Sequence, residues 1–266
     1  MRVVVSLTSI PSRVSTVNKV ITSILNQDYQ VNQIYLTLPK SCAREGIPYV
    51  IPKLDERVKI IRTDTDFGPI TKLIGALIIE NDPETYIITV DDDRIYDKRL
   101  VRHLLSYREK GSVGVVGMIM GHFPFYIQMS SSYFPCWTPI SINKSREVDG
   151  LAGFGGVLYQ RKFFDVDALL RYTYMDRGLF LNDDMVISGY LSIKKVPRYL
   201  TITDIGSKDL HLSNALSGNV FFMLYWMWRA LVILRKECAF EYNCDITCNL
   251  SFVVMVTTLI TWFFLL

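Results

Sequence analysis

The sequence is poor in several things, and each shortage excludes something. It has five cysteines in 266 residues, an odd number with no C-x-x-C pair, so neither a disulfide framework nor a thiolate zinc site is indicated. Its 15 glycines and its length leave no room for a collagen-like or mini-protein reading. Charge of either sign is not in excess: 29 Lys and Arg face 26 Asp and Glu, too even a balance to indicate a nucleic-acid binder. There is no internal repeat and no low-complexity tract. The start, Met1-Arg2 followed by VVVSL and then polar TSIPSR, lacks the apolar core of a signal peptide. A G-x-G-x-x-G fingerprint is also absent, since GLAGFGG at residues 150–156 has a different spacing and no strand–glycine–helix unit around it.

Apolar residues are what the chain has in surplus. Half of it is hydrophobic and 12% aromatic, and the mean hydropathy is +0.22, which excludes chain-wide disorder. Much of that surplus lies at the C-terminus. Residues 246–266 form 21 positions without a charge, and about 20 apolar residues span a bilayer core. Trp262 sits where an interfacial aromatic would. This segment is expected to be a single C-terminal transmembrane anchor, with a buried C-terminal core helix as the other reading. A second apolar stretch, residues 220–234, carries Arg229 and precedes Arg235-Lys236; it reads as an interfacial helix or as a first span. The basic residues before the last segment place the body on the cytoplasmic side. Cys238, Cys244 and Cys248 cluster there, as ordinary thiols or as palmitoylation sites. The sequons at Asn143 and Asn249 matter only in a secretory lumen.

The expected organisation is therefore a body over residues 1–217, an interfacial helix and linker over 218–245, and the membrane segment over 246–266. Within the body, the β-branched run at residues 2–7 marks a buried parallel strand. Apolar residues at helical spacing follow from Val14 to Leu25. Further strands are predicted at 33–38, 57–62, 86–90, 112–120 and 199–203, with helices at 71–80, 98–110 and 185–192. The alternation points to an α/β layered domain with a mostly parallel sheet flanked by helices. Ligands in such sheets bind at the carboxyl ends of the strands. TSIPSR, DFGPITK and the triplet Asp91-Asp92-Asp93 all fall there. Residues 121–150, rich in Pro, Ser and aromatics, read as a long ordered loop.

Three adjacent carboxylates repel one another unless a cation or water screens them. In extended backbone Asp91 and Asp93 share one side and Asp92 takes the other. Two carboxylates on one side suit Mg²⁺ or Mn²⁺, which in turn holds a diphosphate; a solvated acidic turn is the other reading. The glycines before Val157 either let backbone approach a bulky ligand or make a plain loop. Asn182-Asp183-Asp184 opens a helix, where acids cap and complement the dipole. Arg13 and Lys72 are bases at the ligand edge, and His211 lies in KDLHLSN.

Together these blocks resemble the metal-dependent glycosyltransferases of GT-A fold, of the bacterial and large-DNA-virus type. VVVSLTSIPSR through QIYLTLP is similar to their nucleotide-sugar binding start, and DTDFGPITKL and YIITVDDDRIYDKRLV to the next two blocks. The resemblance, over residues 2–217, implies a GT-A-like Rossmann-like sheet and transfer of a sugar from a nucleotide diphosphate sugar to an acceptor hydroxyl. It implies metal ligation by Asp91, Asp93 and His211, with Asp93 on the cation and Asp91 on the ribose or the cation's water shell. Thr8, Arg13, Lys72, Asp91, Asp92, Gly155 and Gly156 are implied at the nucleotide. Asp183 and Asp184 correspond to the family's acidic motif, with Asp183 in place of its Glu; Asp184 is the expected catalytic base and its neighbour the helix cap. A positioned base favours inversion. Mn²⁺ or Mg²⁺, a glycan, lipid or protein acceptor and a membrane are the expected partners, without nucleic acid. Two other readings compete: a sugar nucleotidyltransferase, and a non-catalytic membrane-tethered protein that binds nucleotide sugars.

Overall fold

The computed structural model describes residues 1–120, 127–129, 145–174 and 177–210, with backbone alone at 118–120, 127–129, 177 and 178. The chain begins with β1 (Val3–Thr8), α1 (Val17–Leu25), β2 (Gln33–Pro39), β3 (Val58–Thr63), α2 (Thr71–Ile79) and β4 (Tyr86–Thr89). β1 is paired in parallel on both edges, with Val5 opposite Ile34 of β2 and Ile88 of β4. Its Val3, Val4, Val5 and Leu7 are fully buried, each worth about 1.5–3 kcal/mol of burial. That is why a continuous β-branched run was needed there and not an alternating one.

The chain continues through β5 (Arg94–Tyr96), α3 (Leu100–Ser106), β6 (Ser112–Gly114), β7 (Gly117–Met120), β8 (Ile127–Met129), β9 (Arg146–Glu147), β10 (Gly150–Leu151) and β11 (Val157–Gln160). It closes its described part with α4 (Val166–Thr173), α5 (Arg177–Leu181), α6 (Asp183–Ile193), β12 (Arg198–Leu200) and β13 (Ser207–Asp209). The main sheet has the order β3-β2-β1-β4-β11-β6-β12-β9. It is mostly parallel: β11 runs antiparallel between β4 and β6, and β9 antiparallel on the edge strand β12. A small sheet β10-β7-β8 and a ribbon β13-β5 complete it.

α2 lies close on the sheet. Gly75 makes that approach possible, because a Cβ there would sit 1.9 Å from Thr37 Oγ1 of β2. At the opposite end of β1 from the site, Arg2 and the Tyr35 hydroxyl both donate to Glu80, just past α2. These bonds fix α2 along the sheet, and with it the residue at its start, Lys72.

Several elements differ from the sequence reading. The run 112–120 is two strands: Val115 and Val116 turn the chain between the main sheet and the small one. The buried strand β11 has no counterpart in the sequence reading, because three apolar residues and a glutamine after a glycine run have no decisive period. The helix expected at 98–110 is α3 followed by a 3-10 turn, Arg108–Lys110. α6 begins at Asp183, so the acidic pair lies inside its first turn. Among the described residues no helix is long and apolar enough to cross a membrane. Residues 220–234 and 246–266, His211 and most of 121–144 lie outside the described residues.

Candidate active site

The site forms where β1 and β4 end. Thr8 closes β1 and its hydroxyl donates to the Thr37 carbonyl at 2.7 Å, within the protein. Past β4 the chain turns through Asp91-Asp92-Asp93. Asp92 points inward and is 3% exposed. Its carboxylate accepts from the Ser9 hydroxyl at 2.5 Å and pairs with Arg13 at 2.9 Å. The other arm of the Arg13 guanidinium reaches Asp93 Oδ2 at 3.1 Å. Burial pushes the Asp92 carboxyl up to about 6, against the pull of Arg13 and Ser9. Asp91 and Asp93 stay partly exposed. Burial, and then the charge of Asp91, also raise the Asp93 carboxyl.

Lys72 stands in the first turn of α2, and its ammonium lies between two carboxylates. Nζ is 2.5 Å from Asp91 Oδ1 and 2.9 Å from Asp183 Oδ2. Burial opposes its charge, but Asp183, Asp91 and Asp184 outweigh that and hold the ammonium well above its ordinary value. The backbone N–H of Asp91 donates to the hydroxyl of buried Tyr96 at 2.8 Å. Asp184, the less buried of the acidic pair, accepts from the Gly153 N–H at 2.8 Å. Burial and the neighbouring Asp183 push the Asp184 carboxyl up to about 8, with Lys72 opposing. Both acids sit at the positive end of the α6 dipole.

The structure surrounds several of the expected residues with protein groups. Neither acid is seen to cap α6: the cap position is Asn182, without a side-chain cap bond, while Asp183 is drawn to Lys72 and Asp184 to Gly153. Lys72 is 5% exposed, and its charge faces the carboxylates of Asp91 and Asp183. Gly155 and Gly156 face packing and not the cleft. A Cβ on Gly155 would meet Val116 Cγ2 at 2.7 Å, and one on Gly156, at φ +87°, Leu100 Cδ2 at 2.9 Å. The glycine that borders the site is Gly153: a Cβ there would lie 2.7 Å from Lys72 Nζ and 2.9 Å from Asp184 Oδ1. Ser9, Tyr96 and Gly153 were not singled out from the sequence. For Gly153 the signal was present in the glycine run, which offered four candidates and no way to choose.

The β13-β5 ribbon brings the end of the described chain to the same turn. Arg94 pairs with Asp209 at 3.3 Å and stacks over the Phe154 ring at 4.8 Å. The Leu210 N–H donates to the Asp93 carbonyl at 2.9 Å. Among the described residues no group of three or more His, Cys, Asp and Glu side chains forms a ready metal cage. Asp91 and Asp93 nonetheless fit a hard divalent cation. They are two partly exposed carboxylates on the open side of the turn, and Mg²⁺ needs only one or two carboxylates when phosphates supply the rest.

The glycosyl transferase family 2 model matches residues 12–166, a span that holds the β1 loop, α2, the aspartate turn and Gly153. The chain belongs to glycosyl transferase family 2. It is therefore a glycosyltransferase by family, with a nucleotide sugar as donor, and not a nucleotidyltransferase. Solved structures agree on the fold. The crystal structure of S. aureus TarS 1–349 is 9% identical with a TM-score of 0.54, over 92% of this chain and 67% of that one. The structure of S. aureus TarS gives 12% identity, TM-score 0.51, and covers 92% of this chain and 40% of that one. TarS 1–349 in complex with UDP gives 10%, 0.50, 92% and 67%. No curated protein sequence matches this glycosyltransferase.

Proposed function

We propose that this glycosyltransferase moves a sugar from a nucleoside diphosphate sugar to an acceptor hydroxyl by a single inverting displacement, with Asp184 as general base and Asp91 and Asp93 holding Mn²⁺ or Mg²⁺. The observation that carries this is the meeting of the donor-side Asp91 and the helix-start Asp183 on one buried ammonium, with Asp184 next to Asp183 and held by the Gly153 N–H. The acceptor oxygen attacks the anomeric carbon from the face opposite the diphosphate. Its proton passes to Asp184, the new C–O bond forms, and the bond to the diphosphate oxygen breaks with its electrons on the leaving group. Inversion follows from the single displacement.

Asp184 is the choice because Asp183 is committed to Lys72, while Asp184 is the less buried and gives one oxygen to Gly153. A bound cation would neutralise the diphosphate leaving group. His211 lies outside the described residues; its place in the sequence matches the family's C-terminal metal-ligating His. That supports His211 as a third ligand. The UDP complex of TarS makes uridine donors the first to test.

We further propose that residues 1–217 act as one catalytic domain on the cytoplasmic side of a membrane, anchored by residues 246–266. The support is the charge-free length of that segment and the basic residues before it. The acceptor is then a glycan, lipid or protein within reach of that surface. The test is a panel of nucleotide sugars with Mn²⁺ or Mg²⁺, scoring released nucleoside diphosphate for wild type and Asp184→Asn. Metal-dependent release by the wild type alone supports the reading.

A further inference from the structure

Lys72 has no part in the displacement described above, yet its ammonium contacts both halves of the site. Asp91 belongs to the turn after β4, Asp183 to the first turn of α6, and Lys72 to the first turn of α2. Three separate elements meet at one Nζ, at 2.5 and 2.9 Å. On its third side stands Gly153, where any side chain would press on both Nζ and Asp184 Oδ1. The neighbours Leu73 and Ile74 are fully buried and apolar. A buried cation next to them is costly unless its partners repay the desolvation; the packing of α2 does not itself require a charge there.

We propose that Lys72 is a positioning residue, tying the donor-side carboxylate Asp91 to the acceptor-side pair Asp183–Asp184 so that donor and base are set in register. This rests on the reading of Asp184 as base and Asp91 as a donor-side group. Lys72 occupies Asp183, which leaves Asp184 as the carboxylate for the acceptor proton. It also shares Asp91 with an incoming divalent cation, so Lys72 and that cation compete for one carboxylate. Removing the charge at similar volume, Lys72→Met, therefore moves two readouts in opposite directions. Mn²⁺ binds roughly tenfold more tightly, because a positive charge in contact with Asp91 is gone. Turnover falls roughly 10²-fold, because the base is no longer held in place, while the donor KM stays within about threefold. A merely structural role would lower both together or neither.

The experiment measures Mn²⁺ binding to the full-length chain by electron paramagnetic resonance, alongside kcat, for wild type, Lys72→Met, Gly153→Ala and Asp184→Asn. Gly153→Ala keeps every charge and displaces Nζ and Asp184 sterically. It is expected to lose turnover while binding Mn²⁺ at least as tightly as wild type, since the displaced Nζ competes less for Asp91, and it decides the matter should Lys72→Met fail to fold. Tighter Mn²⁺ binding with slower turnover in Lys72→Met supports the tether. Wild-type turnover in Lys72→Met, or in Gly153→Ala if that variant decides, overturns it, as does Mn²⁺ binding weakened along with turnover. If Asp184→Asn is slow and Lys72→Met is not, the tether alone fails. If Asp184→Asn turns over at the wild-type rate, the base assignment fails and the tether with it.

Discussion

Asp184 accepts the Gly153 N–H through Oδ1 at 2.8 Å, and the bond spends one carboxylate oxygen on orientation while the other stays available for a substrate proton. Gly153 thus plays through its backbone a part that no side chain could play, since a Cβ would collide with both the acid and Lys72.

The first prediction concerns pH. Asp184 is faced by Asp183, Lys72 and Asp91, and burial with Asp183 raises it to about 8. A base must be ionised, so kcat/KM should rise about tenfold per pH unit below that value and level off above it. The stability effect has the opposite slope. The folded state holds this proton more tightly than the unfolded chain, whose Asp titrates near about 3.9. Its stabilising contribution is complete below the unfolded value and is lost as pH rises through the folded one. Melting temperature against pH should show that decline in wild type and less of it in Asp184→Asn. Parallel profiles would contradict the assignment.

The second concerns Asp92, which the sequence grouped with its neighbours as part of a nucleotide site. Its contacts are Ser9 and Arg13, inside the protein. Asp92→Ala leaves Arg13 short of its most buried partner and should cost about 3 kcal/mol, read by urea unfolding. A loss under about 0.5 kcal/mol, the usual scale for surface changes, would place Asp92 in the cleft instead.

The third concerns Asp93, on the open side of the same turn. Asp93→Asn should lower metal-dependent turnover by at least about 10²-fold, on the scale of lost charge stabilisation at a leaving group. The urea midpoint should move little, because Arg13 keeps Asp92. Full activity of the variant would remove Asp93 from the cation site.

The fourth concerns the membrane. Deleting residues 250–266 should release the protein into the high-speed supernatant, unless residues 220–234 also hold it. Full-length protein that remains in the supernatant would end the anchor proposal.

The sequence disclosed the parallel half of the fold because β-branched-rich runs such as 3–7 and 86–90, short and bounded by polar residues, read as strands buried on both faces. It disclosed less beyond residue 111, where strands of two to four residues carry no period and Val115–Val116 bends the chain between sheets. The aspartate turn was legible because three like charges after a buried strand demand a reason. The fate of Lys72 was not: nothing local says that α2 and α6 will bring two carboxylates to its ammonium, and a lysine at a ligand edge reads as a phosphate contact. For the same reason the acidic pair read as a base and a cap, whereas the structure gives each acid a tertiary partner, Lys72 for Asp183 and Gly153 for Asp184.

The most direct test of the account is the rate at which Asp184→Asn releases nucleoside diphosphate from a nucleotide sugar in the presence of Mn²⁺ and an acceptor. The account predicts a rate lower by about 10²–10⁴-fold with the donor KM nearly unchanged, and no comparable loss of folded stability. A variant that turns over at the wild-type rate would show that Asp184 is not the base and that the inverting displacement needs another group.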